Sequence, residues 1–131
     1  MAQVLFMPII AKADNKLDSV DYRIYNFSQH DESVSKFSVK KISATEIGKH
    51  APPEVVSSIN LAGMKKVFLL SAPEQGTAGY HFEITRHGSV LAACLKKPSK
   101  DQMALMVLTN PVAILLTSRD YKITISNEYC L

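Results

Sequence analysis

The residues best suited to chemistry lie together in "YHFEITRHGSV", residues 80–90. Arg86-His87-Gly88 ends an apolar strand on a sharp glycine turn. A histidine delivered at such a tip can attack phosphorus, and an arginine beside it can hold the phosphate oxygens. Upstream, His81, Glu83, Thr85 and His87 share one face of a regular strand, because side chains alternate with period two. Successive members then stand about 6.5–7 Å apart at their Cα atoms. His81 and Glu83 could share a proton, or a metal, with a residue from a neighbouring strand.

Each of these readings has a plainer competitor. The Arg-His-Gly triplet resembles the one on which histidine phosphatases open their active site. That resemblance implies further catalytic residues downstream in a large α/β domain, and no histidine follows His87 here. The strand–helix alternation of that fold is also missing. A hairpin corner, with glycine supplying a positive φ, accounts for the triplet. His81 and Glu83 equally describe a solvated strand face. As catalytic candidates His81, Glu83, Arg86 and His87 are therefore weak, and the balance leans against an enzyme. The chain has no glycine-rich phosphate loop, Cys-x-x-Cys, Gly-x-Ser-x-Gly or His-Glu-x-x-His. No metal and no cofactor is expected.

Lysines recur at strand ends: Lys40-Lys41, Lys65-Lys66, and Lys96-Lys97 with Lys100. If these ends share one rim, the molecule has a basic edge for a phosphate-bearing or acidic partner. Edge protection by lysine is the plainer account. The formal net charge of +3 and the pI of about 8.9 suit a weak anionic partner but fall short of a dedicated nucleic-acid binder.

At 131 residues the chain reads as a single domain, 1–131, with enough apolar residues to bury a core. Its first residues lack the basic start of an export signal, and Pro8 splits their apolar run. The longest uncharged window, 102–118, is broken by Asn110-Pro111, so no membrane span is expected. A cytoplasmic setting, bacterial or host, follows, with reduced thiols and Cys94 buried; a structural disulfide between Cys94 and Cys130 is the lesser alternative.

The elements that must position the candidates read as follows. Strands are expected over 3–11, 20–27 and 33–43, the second with Tyr22 and Ile24 inward and the third near a sheet edge. Ser43-Ala-Thr-Glu46 fits a capping box, and Pro53 can restart a helical turn. Runs 65–71, 80–86 and 89–97 read as a three-strand meander. A helix is expected over 100–109, stopped by Asn110-Pro111, with a strand as the alternative. "VAILLTS" and "YKITIS" close the chain as an antiparallel pair. The fold class is β-rich α+β, with mostly antiparallel sheets of about 8–9 short strands and one to three short helices. An all-β sandwich is the alternative.

The function that follows is a non-enzymatic interaction or assembly module. It would bind a protein partner or itself, as a homo-oligomer, through edge strands such as 3–11 or 121–126 or through apolar sheet surface. A lysine-rich rim (Lys40, Lys41, Lys65, Lys66, Lys96, Lys97, Lys100) would take the acidic or phosphate-bearing partner. The alternative is a small enzyme or metal-dependent hydrolase using the His81/Glu83 face.

Overall fold

The computed structural model describes residues 21–31, 33–76, 79–99, 108–125 and 128–130. The strand expected over 3–11, almost all of the helix expected over 100–109, and Lys100 lie outside these residues. Within them are seven strands, fewer than the 8–9 expected. They are β1 (Tyr22–Gln29), β2 (Ser38–Ile42), β3 (Lys66–Ser71), β4 (His81–His87), β5 (Val90–Lys96), β6 (Asn110–Thr117) and β7 (Lys122–Thr124). A 3-10 turn at Ala44–Glu46 leads into two one-turn helices, α1 (Ile47–His50) and α2 (Pro53–Val56). The molecule is strand-rich, with few helices, as expected.

One sheet runs β1-β6-β3-β2 and is antiparallel throughout; the other runs β4-β5-β7. Period-two alternation explains how the layers stack. On β1, Tyr22 and Ile24 point to the inter-sheet core, while Tyr25 and Phe27 point the opposite way. The inter-sheet core gathers Leu70, Phe82, Leu91, Leu95, Ala113 and Leu115. Ile114 and Leu116 join a second cluster with Ile42, Ile47, Ala51 and Val67, beneath the 44–59 segment. β6 is thus covered on both faces, and all eight of its residues are buried.

Several local signals act as expected. Glu46 reaches back to the Ser43 amide at 3.0 Å, the capping-box half that starts the turn. Pro53 opens α2, where its missing N–H costs nothing. Lysine-bearing β2 lies at the edge of its sheet among the described residues. Gly88 turns the β4–β5 hairpin with φ +61°, as the turn reading requires.

Other expectations are corrected. β3 does not form a meander with β4 and β5; it lies in the other sheet, between β6 and β2. The intervening segment is held away from a hairpin by Gln75, whose backbone pairs both ways with Thr109 (2.7 and 3.1 Å). β6 and β7 are not an antiparallel pair, since β7 runs parallel to β5. Asn110-Pro111 starts β6. Fully buried Asn110 accepts the Asp31 amide at 2.8 Å and donates to the Ala72 carbonyl at 3.3 Å. It satisfies backbone groups that two converging loops would otherwise leave bare. β1 is not solvated on its outer face, where Tyr25 and Phe27 meet the helical cover.

The cysteines are also paired, against the expectation of reduced thiols. Cys94 and Cys130 form a disulfide with Cα atoms 5.0 Å apart, inside the range a disulfide spans. The bond fastens the 128–130 segment along β5. Leu95 donates to the Glu128 carbonyl (2.8 Å) and accepts from the Cys130 amide (2.9 Å). Tyr129 stacks edge-on against Phe37 with ring centroids 5.5 Å apart. No helix among the described residues is long and apolar enough to cross a membrane.

Candidate functional site

Thr117 of β6 pairs with Tyr22 on one side and Lys66 on the other, so the start of β1, the start of β3 and the end of β6 share one end of the larger sheet. Ile42, opposite Val67, brings the end of β2 to the same place. Arg86, next to last in β4, reaches Asp21 from the second sheet. Residues remote in sequence therefore meet at this end.

A groove of about 550 Å³ opens here between β2, β3 and the 61–64 loop. Lys41, Lys65 and Lys66 line it, with Glu46, over an apolar floor of Ile42, Met64 and Val67. Leu61, 44% exposed, stands at its side. The loop carrying Leu61 is held in place from β1. Arg23 donates to the carbonyls of Asn60 (3.2 Å) and Ala62 (2.8 Å), and the Tyr25 hydroxyl accepts the Asn60 amide (3.0 Å). Neither Arg23 nor Tyr25 is marked by sequence, where both read as ordinary strand residues.

The charges around the groove interact. Lys66 pairs with Asp120 and holds that carboxylate below the usual range, with the fields of Lys41 and Lys65 acting in the same direction. Glu46 is likewise lowered, first by the Ser43 amide and hydroxyl, then by Lys49 and Lys40. Of the lysines expected to share a rim, Lys41, Lys65 and Lys66 line this groove, and Lys40 does not. Lys96 and Lys97 do not join them. Lys96 stands opposite His81, at the far end of β5, beyond which Tyr129 reaches Gln75.

A second concavity, of about 380 Å³, lies beside the groove and is lined by Arg86, Gly88, Ser89, Arg119, Asp120 and Tyr121. Arg86 Nη1 and Arg119 Nη2 both bond Asp21 Oδ2, the latter at 2.8 Å. Both guanidiniums also lie over the Tyr121 ring, 5.8 and 5.5 Å from its centroid. The Asp21 carboxyl is held below the usual range, chiefly by Arg119, and Arg119 is raised in turn by Asp21. The Tyr121 hydroxyl lies near both, yet it is buried and makes no hydrogen bond of ordinary geometry among the described residues.

The His81/Glu83 pair is elsewhere. The two side chains do meet across the strand face, with Nε2 and Oε2 3.4 Å apart and exposures of 41% and 50%. His81 Nδ1 is 3.4 Å from the Gly79 carbonyl. Among the described residues no group of three His, Cys, Asp or Glu side chains is arranged to hold a metal. His87 is exposed at the end of β4 and lines neither concavity. Of the Arg-His-Gly triplet, the structure engages Arg86 and Gly88.

The chain matches no family model, no curated protein and no solved structure.

Proposed function

We propose that this protein is a non-enzymatic interaction module that takes an acidic segment of a protein partner in the groove between β2, β3 and the 61–64 loop. One observation carries the reading: Lys41, Lys65 and Lys66 converge over an apolar floor, and their neighbouring carboxylates are already engaged. Asp120 is bound to Lys66, and Glu46 to Ser43. Lys41 and Lys65 are left to meet an incoming carboxylate, while Leu61 and Met64 offer apolar contact beside them. Such pairing of charge steers association and sets specificity more than it adds raw affinity.

Self-association is the second half of the reading. It is supported by β7, three residues long and at the edge of its sheet, with β5 its neighbour among the described residues. The setting of the module is read from the disulfide, which is retained where thiols are not kept reduced; the Cys94–Cys130 bond favours an oxidising compartment over the cytosol.

The test is fluorescence anisotropy with a labelled ten-residue peptide of alternating Glu and Leu. Wild type should bind it with an affinity that falls as salt rises, and Lys65→Glu/Lys66→Glu should weaken binding by about tenfold or more. Equal binding by wild type and variant would overturn the groove assignment. Light scattering on the eluting peak measures self-association directly.

A further inference from the structure

The second concavity carries an inference that does not depend on the groove. We propose that the notch formed by Arg86, Arg119, Tyr121 and the Gly88-Ser89 turn binds a phosphoryl group, as a phosphate monoester. Three observations converge on it. Two guanidiniums share a single oxygen of a single carboxylate, so Asp21 neutralises one positive charge and leaves the other in place. Each guanidinium carries five N–H donors in a fixed fork, and the bond to Asp21 uses only part of that set. The buried Tyr121 hydroxyl, in a residue 8% exposed, lies near Asp21 and Arg119 yet makes no hydrogen bond of ordinary geometry to either, although a buried polar group ordinarily makes one.

The geometry favours phosphate over carboxylate. Donors approach from three separate groups, the two arginine forks and the phenol, which suits an oxyanion with three peripheral oxygens. A carboxylate offers two, in one plane. Asp21 acts here as an organiser. It fixes both guanidiniums against the Tyr121 ring before any ligand arrives, so little side-chain freedom remains to be lost on binding. Gly88, with its positive φ and open space where a Cβ would sit, keeps the mouth of the notch clear. The other carboxylate at the notch, Asp120, is held by Lys66 on the groove side.

Titration with inorganic phosphate, followed by NMR at constant ionic strength, tests this. Saturable shifts are expected at the Gly88 and Ser89 amides and at the Nε–H groups of Arg86 and Arg119. Arg86→Ala and Arg119→Ala should each weaken phosphate binding about tenfold or more, the loss expected for a charge-assisted bond. Tyr121→Phe keeps the ring under both arginines and removes only the hydroxyl. It should weaken binding several-fold with an unchanged melting temperature. Lys41→Ala/Lys65→Ala removes two charges from the neighbouring groove, leaves Lys66 on Asp120, and should change phosphate affinity by less than about twofold. The proposal is overturned if Arg119→Ala and Tyr121→Phe bind phosphate as wild type does. It also fails if the lysine variant loses as much as the arginine variants, or if acetate binds the same resonances equally well. Because the peptide assay reads Lys65 and Lys66, failure of the groove leaves this result standing, and the converse holds too.

Discussion

Reduction of the Cys94–Cys130 bond should lower stability substantially, and its size can be worked out from chain length. The two cysteines are 36 residues apart. Closing a loop of that length in the unfolded chain removes entropy worth roughly 4 kcal/mol at room temperature in the chain-entropy account. For a domain of this size, with an unfolding entropy of about 2 cal/mol/K per residue, that corresponds to a fall in melting temperature of about 10–15 °C. The native side of the balance should change little. The 128–130 segment keeps its two backbone bonds to Leu95, and Tyr129 keeps its contacts with Phe37 and Gln75.

The assay is thermal unfolding by circular dichroism, with and without a non-thiol phosphine reductant. The chain has no tryptophan, so fluorescence would report only tyrosines. A Cys94→Ala/Cys130→Ala variant serves as the control. It should melt close to the reduced wild type and be indifferent to reductant. Alkylation under non-reducing conditions should modify neither cysteine of the wild type. Two modified cysteines in the untreated protein, or a wild-type melting temperature that does not move on reduction, would refute the reasoning. The first outcome would mean that the bond is absent, and the second that it constrains little.

Two other perturbations have clear signs. Asn110→Ala strips a partner from the Asp31 amide and the Ala72 carbonyl at a fully buried site, and should cost roughly 1–3 kcal/mol by urea unfolding. Asp21, Asp31, Glu46 and Asp120 all have folded pKa values below those of the unfolded chain. Their contribution is therefore fully present above the ordinary carboxylate range, about pH 4, and is lost as pH falls through the lower folded values. An acid titration of the melting temperature should show this decline, and Asp21→Asn should flatten part of it.

What the sequence revealed was local. Gly88 marks a turn whatever its surroundings, since its φ is a property of one residue. The capping residues Ser43 and Glu46 and the helix-starting Pro53 work within a single turn of chain. Alternation assigned Tyr80, Phe82 and Ile84 to one face of β4 correctly, and all three pack on the inter-sheet core. Alternation does not name a strand's partner. "KKVFLLS" and "YHFEITR" looked like neighbours because turn residues separate them, yet the same residues serve a crossing between sheets. β7 was assigned a partner by proximity along the chain, and its parallel register with β5 has no local signature. Cysteine spacing likewise says nothing about distance in space, so a Cys94–Cys130 bond was the lesser reading, set aside on the expected compartment.

The site was hidden for the same reason, in a stronger form. The Arg-His-Gly triplet drew attention to His87 as a nucleophile, but the histidine is left at the surface. Arg86 finds its partners Asp21 and Arg119 far along the chain in opposite directions, with Asp21 lying 65 residues away. No spacing rule links three such residues. What links them is the joint between the two sheets: Asp21 leads into β1, Arg86 ends β4, and Arg119 follows β6. At the middle of the same joint the Asn26 side chain pairs with the Phe82 backbone, accepting its amide at 2.7 Å and donating to its carbonyl at 3.1 Å. Alternation puts Asn26 on the inward face of β1, with Tyr22 and Ile24. It completes the free edge of β4 with a side-chain amide in place of a strand. The arginine pair is thus anchored where the sheets are already pinned together, and a ligand held by both guanidiniums would bridge the two sheets directly.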